Sequence, residues 1–527
     1  MTPALPDGVP DLPDVPVADT TVLTGLAEDL TVFAVDAARA AMGTTAAAAL
    51  DRDDPVPARR ALRGSSVPAA VLARLFLLGV PVARRQLDAA LPRTGTGGLE
   101  RLGLVRSAGA SPDDGVLASV DLRPIESDGA TWWLASDLGQ VSTGAPLGPD
   151  HVLGLGGASM TLATWTPRAP VRRALDVGTG SGVQALYLAR HAAEVTGTDL
   201  SPRALAFARF NAALNAAADG PFHGRHLGLR RGNLLETVAG QRFDLVVSNP
   251  PFVITPRRDG PATAPVYTYR DGGLVGDAVV ARLVRGLGDV LAPGGVAQLL
   301  GNWEHRPGET WQERVASWLP AGLDAFVVQR EVQDPAEYAE TWARDAGHRP
   351  GTADHDALVE RYLDDFEARG VDGVGLGVLT LRSPDADVDQ RAPLRRLEEI
   401  TGPVGGGGPM GAVVADVLAA ESWLASTDDE ALLGAHLITA PDVTEERFGL
   451  PGASDPQVVL LRQGGGLQRA VRADTALAGL VGACDGDLAV GQIVAALASL
   501  LDEPVGALTS RLLGPVRRLV ADGLLRR

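Results

Sequence analysis

The sequence contains no lysine and a single cysteine, Cys484, among its 527 residues. One thiol excludes a disulfide scaffold and a cysteine-rich zinc site, and the eight histidines are scattered along the chain. No apolar run reaches the roughly 18 residues that span a bilayer, and the amino terminus lacks the basic and apolar segments of a secretory signal. These absences predict a cytoplasmic protein without a membrane or metal partner.

Basic residues are also fewer than acidic ones, 47 against 65, so the formal net charge is −18. A surface this acidic repels a phosphate backbone, which argues against a protein that binds nucleic acid non-specifically. Local arginine pairs, such as Arg84–Arg85 and Arg257–Arg258, leave a specific nucleic-acid contact open. Apolar residues make up 45% of the chain, enough for several cores at about 150 residues per domain.

Glycine and proline divide the chain into five predicted segments. Residues 1–20 predict a disordered lead-in, and the run Gly405–Gly408 lies in a predicted glycine-rich linker over 386–412. Helical stretches followed by alternating runs at Leu117–Leu122 and Thr131–Ala135 predict a winged-helix-like domain over 21–148, with a generic helical cap as the alternative. A hairpin followed by helices predicts a second winged-helix-like domain over 413–527, a candidate protein-binding module.

The central segment, residues 149–385, alternates short apolar runs with helical stretches. This rhythm predicts an α/β domain with a doubly wound parallel sheet. Two later runs, Ala325–Glu331 and Gly375–Leu381, are predicted to complete the sheet. The earlier predicted strands are Ala174–Val177, Glu194–Asp199, Phe243–Ser248 and Gly295–Gly301.

The first motif in this domain is a glycine-rich loop, in which Thr179 and Ser181 separate Gly178, Gly180 and Gly182. Its spacing differs from the dinucleotide fingerprint, but a backbone without Cβ atoms still approaches a ligand closely. Asp199 ends the next strand, where a carboxylate can accept both ribose hydroxyls of a nucleoside. The pattern predicts a nucleoside-type cofactor, with a purely structural turn as the alternative.

The second motif is Asn249-Pro250-Pro251-Phe252, directly after the strand Phe243–Ser248. Consecutive prolines lack N–H groups and hold the chain extended, so their carbonyls are free to face a ligand. Beside them, the Asn249 amide oxygen and the Phe252 ring form a predicted slot for a flat group that carries an NH₂. An Asn-Pro turn that merely ends a strand is the alternative.

With both motifs present, residues 150–300 resemble class I S-adenosylmethionine-dependent methyltransferases whose fourth strand carries Asn-Pro-Pro-Tyr/Phe. That group includes glutamine methyltransferases acting on translation release factors, and enzymes that methylate adenine or guanine amino groups of RNA or DNA. The resemblance implies a Rossmann-like sheet of seven strands and S-adenosyl-L-methionine as cofactor. It is strong over the central third of the chain and poor over the flanks.

The resemblance also implies roles for individual residues. Asp176 would position the amino group of the cofactor, Asp199 would hold its ribose, and Asn233 stands where the family usually has an aspartate that contacts adenine. Asn249 and Pro250 would bind the acceptor nitrogen, and Phe252 would stack on it. The full predicted cofactor set is Asp176, Gly178, Thr179, Gly180, Gly182, Asp199, Leu200, Asn233 and Asn249, and the predicted catalytic set is Asn249, Pro250, Pro251 and Phe252.

The sequence leaves two classes of methyl acceptor open, a protein glutamine and a nucleobase amino group. The extension Val253-Ile254-Thr255-Pro256 and the segment Tyr269-Arg270-Asp271-Gly272-Gly273 resemble the glutamine-modifying branch, which favours a protein glutamine of the translation machinery. Large flanking modules favour a nucleobase amino group instead. A non-catalytic regulator that binds the cofactor is a third interpretation. The stretch His151–Ser159 is expected to cover the cofactor.

Overall fold

The computed structural model describes residues 15–127, 129–145, 147–256, 272–384, 392–406, 408–452 and 456–527. The chain divides into two compact units, of which the first comprises Met1–Ala163, Ala169–Leu323 and Glu331–Ala386. The second comprises Thr164–Arg168, Asp324–Arg330 and Asp387–Arg527. Because the first unit contains both the predicted amino-terminal domain and most of the central one, the boundary at 148/149 stays a prediction. No helix in the described part of the chain has the length and apolar character to cross a membrane.

The amino-terminal part of the first unit contains short helices and two small antiparallel sheets. Most of the predicted lead-in, residues 1–14, lies outside the described residues, and the first helix begins at Thr20. Its helices are α1 (Thr20–Asp29), α2 (Val35–Met42), α3 (Thr44–Leu50), α4 (Val56–Ala61), α5 (Pro68–Leu72), α6 (Arg84–Ala90), α7 (Gly95–Arg101) and α8 (Gln140–Thr143). Its strands are β1 (Val82–Ala83), β2 (Val105–Ser107), β3 (Gly115–Ala118), β4 (Asp121–Ser127) and β5 (Ala130–Ser136).

The hairpin predicted from Leu117–Leu122 and Thr131–Ala135 is wrong in its first strand. The first run is split between β3, which pairs with β1 and β2, and β4, which pairs with β5. Strands β1, β3 and β2 form one sheet in that order, and β4 pairs with β5 in another. The winged-helix interpretation of this segment stays a prediction.

The two arginines of α6 are engaged within the protein. Arg84 donates to the Gly109 carbonyl and to Ser107, and Arg85 forms an ion pair with Asp113. These contacts do not support the hypothesis that Arg84 and Arg85 bind phosphate.

The central part contains a large, mostly parallel sheet. Helix α11 begins where Ser201 accepts the Ala204 N–H and Pro202 occupies the first turn. The strands are β6 (Val171–Val177), β7 (Ala192–Asp199), β8 (Leu227–Arg231), β9 (Phe243–Ser248), β10 (Leu291–His305), β11 (Asp324–Gln333), β12 (Gly373–Arg382) and β13 (Arg395–Glu399). The helices are α9 (Gly157–Trp165), α10 (Val183–Leu188), α11 (Pro202–Ala217), α12 (Ala278–Gly286), α13 (Trp311–Ala316), α14 (Pro335–Asp345) and α15 (Ala353–Arg369).

Within the first unit, the described strands of this sheet lie in the order β12-β10-β9-β6-β7-β8. Within the second unit, β13 lies beside β11. The seven strands expected from the resemblance are not confirmed. Strand β12 runs antiparallel to β10, and β13 runs parallel to β11. Strand β13, Arg395–Glu399, lies inside the predicted linker over 386–412, so that prediction is wrong for these residues. Its polar sequence gives no apolar signal, and its backbone pairing with β11 is what makes it a strand.

The carboxyl-terminal part is built around its own apolar core, in which Cys484 is buried. Burial raises the pKa of the Cys484 thiol to about 11, so this thiol packs as a small apolar group. The hairpin predicted near Gln457–Val471 is present as β16 and β17. The elements are α16 (Met410–Ala425), α17 (Asp429–Leu433), β14 (His436–Thr439), β15 (Val443–Phe448), β16 (Val458–Gln463), β17 (Ala470–Ala473), α18 (Thr475–Ala483), β18 (Asp485–Ala489), α19 (Val490–Leu501), α20 (Val505–Ala521) and β19 (Leu525–Arg526).

Candidate active site

The glycine loop and the Asn-Pro-Pro-Phe segment meet at one edge of the sheet. Strands β6 and β9 are parallel neighbours in which Val177 lies opposite Ser248, and the Ser248 hydroxyl donates to the Val177 carbonyl at 2.8 Å. A Cβ atom built on Gly178 would lie 4.0 Å from the Asn249 carbonyl oxygen. The carboxyl ends of adjacent parallel strands therefore bring the two motifs into contact, as open α/β sheets do at their ligand sites.

The glycines of the loop are required by its backbone conformation. Gly178, Gly180 and Gly182 have φ angles of +72°, +55° and +86°, which side chains with a Cβ rarely adopt. A Cβ on Gly180 would meet no atom within 4 Å, so open space lies beside this residue. A Cβ on Gly182 would approach the Ala208 Cα to 3.2 Å, so this glycine permits close packing of α10 on α11.

Asp176 has contacts that hold the loop itself. Its carboxylate is buried and accepts hydrogen bonds from the Thr179 hydroxyl at 2.6 Å and the Ala185 N–H at 3.1 Å. Burial is the main cause that raises the pKa of Asp176 to about 7. Asp176 is not among the residues that line the cleft, so its expected contact with the cofactor amino group stays a prediction.

The pH dependence of stability tests this position of Asp176. Because its pKa in the folded protein lies above the ordinary 3.8, Asp176 lowers the free energy of unfolding as the pH rises from 3.8 to about 7. Asparagine does not titrate, so the Asp176→Asn variant lacks this contribution. We expect the free energy of unfolding of the variant to rise relative to that of the wild type as the pH rises from about 4 to about 8. Denaturant unfolding of both proteins measures the difference. If the difference in free energy of unfolding between the two proteins stays the same across this pH range, Asp176 is not a buried group that binds a proton there.

Asp199 faces the same cleft at the end of β7. Its carboxylate accepts the Gly180 N–H at 2.9 Å and the Ser201 N–H at 2.8 Å, and burial raises its pKa. Leu200, exposed, and Asn233, half-buried, line the cleft beside it. The predicted contact residues Asp199, Leu200 and Asn233 are thus brought together with Gly180.

The acceptor segment presents a buried oxygen to which none of the described residues donates. The Asn249 Oδ1 atom is buried and accepts no hydrogen bond from the described residues. A buried oxygen that accepts no hydrogen bond lowers the stability of the folded protein, so its presence requires a physical explanation. A ligand N–H in the cleft supplies one.

Three residues outside the motif hold this segment in place. Asn302 on β10 donates through Nδ2 to the Phe252 carbonyl at 2.7 Å, and the Tyr338 hydroxyl on α14 accepts the Ile254 N–H at 2.9 Å. The same Asn302 amide donates to the Tyr338 hydroxyl at 3.2 Å. Trp342, one turn further along α14, lies edge-on to Phe252 with ring centroids 6.4 Å apart.

These three residues were missed by sequence reasoning. Tyr338 and Trp342 lie four apart on a helix that begins with a clear Asp334-Pro335 start signal, which would have identified the helix. Nothing local in the sequence connects that helix to Phe252.

The stretch His151–Ser159, which is expected to cover the cofactor, is hydrogen-bonded to the glycine loop and to α10, and its role over the cofactor stays a prediction. The Ser181 hydroxyl donates to the Leu153 carbonyl at 2.7 Å, and the Gln184 side chain donates to the Ser159 carbonyl at 2.8 Å. Of the segment Tyr269–Gly273, only Gly272 and Gly273 are described, and both line the cleft. The pair Arg257–Arg258 lies outside the described residues.

The cleft formed by these elements has a volume of about 2350 Å³. Because its lining also extends to amino-terminal residues such as Val35 and Met42, this volume exceeds the 300–1,000 Å³ or so of small-ligand pockets. No group of three or more His, Cys, Asp or Glu side chains suited to a metal ion occurs among the described residues. Gly182, like Asp176, does not line the cleft. The predicted site residues that line it are Gly178, Thr179, Gly180, Asp199, Leu200, Asn233, Asn249, Pro250, Pro251 and Phe252.

Comparison with protein families matches three regions of the chain. Residues 155–263 match the methyltransferase small domain. Residues 31–118 and 415–527 match two domains of unknown function, DUF7059 and DUF7782. The methyltransferase match covers both motifs of the candidate site.

Curated relatives match the same central region. The release factor glutamine methyltransferase of Deinococcus radiodurans is 40% identical over 154 residues, which are 28% of this chain and 51% of that protein. The ribosomal protein uL3 glutamine methyltransferase of Bradyrhizobium diazoefficiens is 32% identical over 158 residues, 28% of this chain and 47% of that protein. The tRNA1(Val) (adenine(37)-N6)-methyltransferase of Porphyromonas gingivalis is 35% identical over 127 residues, 22% and 44% respectively. The chain thus spans about half the length of these relatives.

Proposed function

We propose that this chain, whose residues 155–263 carry a class I S-adenosylmethionine-dependent methyltransferase domain, transfers a methyl group to a planar nitrogen. The acceptor that we favour is the side-chain amide of a glutamine in a protein of the translation machinery. The observation that carries the proposal is the buried Asn249 Oδ1, which accepts no hydrogen bond from the described residues. Asn249 directly follows β9, the strand beside the one that leads into the glycine loop. An oxygen in this state is suited to accept an N–H of the incoming amide.

The residues of the loop fit S-adenosylmethionine. The open space beside Gly180 and the absence of a Cβ on Gly178 leave a cradle for the methionine part. Asp199 offers a carboxylate for the ribose hydroxyls, and Asn233 offers an amide for the adenine amino group, although the family usually has an aspartate there. When bound, the sulfonium supplies an already activated methyl group.

In this proposal the acceptor segment orients the nitrogen. Asn249 Oδ1 accepts one N–H of the acceptor and the Pro250 carbonyl accepts the other, so the nitrogen lone pair is directed at the methyl carbon. Phe252 stacks on the flat face, and Trp342 forms a second aromatic wall. The displacement then depends on proximity and alignment. The proton leaves to solvent after methyl transfer, once the nitrogen is cationic.

Two features favour a protein acceptor over nucleic acid. Relatives that are named as glutamine methyltransferases are prominent among the matches. Two arginines that line the cleft are also already engaged: Arg59 donates to the Val141 carbonyl at 2.8 Å, and Arg123 pairs with Asp121. A guanidinium in such contacts is a poor phosphate ligand. An adenine or guanine amino group of RNA or DNA is the second candidate, favoured by the tRNA-modifying relative.

The flanking modules are proposed to contact the macromolecule that carries the acceptor. In the amino-terminal module, α5, β1, α6, α7, β2 and β3 follow one another along the chain, and the strands lie in the order β1-β3-β2. This order of elements supports the winged-helix interpretation, as does the helix-rich end of the carboxyl-terminal module. The latter is a candidate surface for a protein partner.

Transfer of a labelled methyl group tests the proposal. The full chain is incubated with S-adenosylmethionine that carries a tritiated methyl and with an extract of cells that lack this protein. We expect macromolecular label that survives nuclease and is lost on protease treatment. Label that is lost on nuclease treatment supports the nucleobase alternative. Label no higher than with the Asn249→Ala variant contradicts the proposed activity.

A further inference from the structure

Helix α11 carries two asparagines, Asn211 and Asn215, that are both fully buried and one helical turn apart. Their side chains bind the backbone of β5 as a neighbouring strand would. Asn211 Oδ1 accepts the Ala135 N–H, and Asn211 Nδ2 donates to the Ala135 carbonyl, both at 2.8 Å. Asn215 makes the same pair of bonds to Trp133, at 3.1 Å and 2.8 Å.

The two asparagines differ in where the second N–H of each amide goes. Asn211 donates it to the Ser181 carbonyl at 2.8 Å, whereas Asn215 donates it to the Asn211 carbonyl at 2.8 Å. Ser181 belongs to the glycine loop and directly precedes Gly182, the cap of α10. A single carboxamide therefore connects strand β5 with the glycine loop.

Strand β5 is in turn fixed to the amino-terminal helices. The Trp133 indole N–H donates to the carbonyl of Phe33, between α1 and α2, at 2.9 Å. The apolar core of those helices also includes Phe207, Phe210 and Leu214 of α11. The contacts thus run from Phe33 to Trp133, along β5 to Ala135, and through Asn211 to Ser181.

We infer that Asn211 is a positioning residue for the methyl donor, and that it makes the β4–β5 hairpin a structural part of the donor site. This inference rests on the proposed function, which assigns the donor to the glycine loop. Ser181 is held on two sides, by Asn211 at its carbonyl and by the Leu153 carbonyl at its hydroxyl. A loop whose glycines allow many conformations binds a ligand more tightly when such bonds fix it beforehand.

Calorimetric titration of S-adenosylmethionine into the full chain tests the inference, with Asn215→Ala as the matched control for Asn211→Ala. Both variants remove a fully buried carboxamide from α11 and leave one N–H and one carbonyl of β5 unpaired, so we expect similar losses of melting temperature. We expect Asn211→Ala to raise the donor Kd about tenfold, the equivalent of one buried hydrogen bond. Asn215→Ala is expected to change the Kd by less than about twofold.

The possible results separate the inference from the proposed function. A wild-type chain that does not bind S-adenosylmethionine contradicts the proposed function itself. A wild-type chain that binds, together with an Asn211→Ala variant that binds equally well, overturns the role of Asn211. Equal weakening by both variants overturns it too, because general loosening of β5 would then explain the effect. If Asn211→Ala does not fold, Asn211→Ser removes the same two N–H donors and is held to the same outcomes.

Discussion

Replacing Asn249 by alanine is expected to reduce the rate of methyl transfer by about 100-fold or more, while the Kd for S-adenosylmethionine stays nearly unchanged. The Asn249 oxygen is buried and accepts no bond from the described residues, so its removal costs the folded protein little. What is lost is a preoriented acceptor for the N–H of the substrate. That interaction directs the nitrogen lone pair, and so its loss appears in turnover.

Single-turnover transfer and calorimetry on the same preparation measure the two quantities. The unchanged donor affinity serves as the internal control for folding. If donor affinity and transfer fall together by the same factor, Asn249 supports the donor site or the fold, and its assignment to the acceptor is wrong.

The second large effect is expected from Asp199→Ala, which should raise the donor Kd by about 100-fold. Charge-assisted hydrogen bonds from both ribose hydroxyls are lost, and the Gly180 N–H loses the carboxylate that holds it at 2.9 Å. Since the change acts on donor binding, raising the donor concentration should restore much of the transfer rate. Calorimetry with S-adenosylmethionine measures the Kd.

Asp244→Ala is the matched control for this experiment. Asp244 also accepts two backbone N–H groups, those of Arg172 and Arg173, at 3.0 Å and 2.8 Å. It lies near the start of β9, at the opposite ends of the strands from the cleft. Its removal should leave the donor Kd within about twofold of the wild type. A donor Kd that is equally insensitive to Asp199→Ala refutes the ribose contact.

The meeting of the two motifs was predictable from sequence because each follows a strand directly. Parallel strands end at the same edge of a sheet, so Gly178 and Asn249 had to lie close once β6 and β9 were neighbours. The roles of Gly178 and Gly182 differ in a way that spacing does not reveal. Gly178 faces Asn249, whereas Gly182 accommodates the backbone of Ala208.

Long-range contacts account for what the sequence did not predict. Tyr338 is 84 residues from Ile254, whose N–H it accepts, and Asn211 is 76 residues from Ala135. Such pairs carry no local pattern. Strand β13 was missed because Arg395–Glu399 is entirely polar apart from Leu397, and the neighbouring glycines of Gly405–Gly408 suggested a linker. The amino-acid composition of residues 386–412 indicates a linker, but it carries no information on the pairing of Arg395–Glu399 with β11.

A crystal structure of the full chain with S-adenosylmethionine would test the central claim most directly. The account predicts that the ribose hydroxyls bind Asp199, that the methionine part lies along Gly178 and Gly180, and that the methyl group points to the space in front of the Asn249 oxygen. A donor bound elsewhere, or bound here with its methyl group directed away from Asn249, would contradict the account.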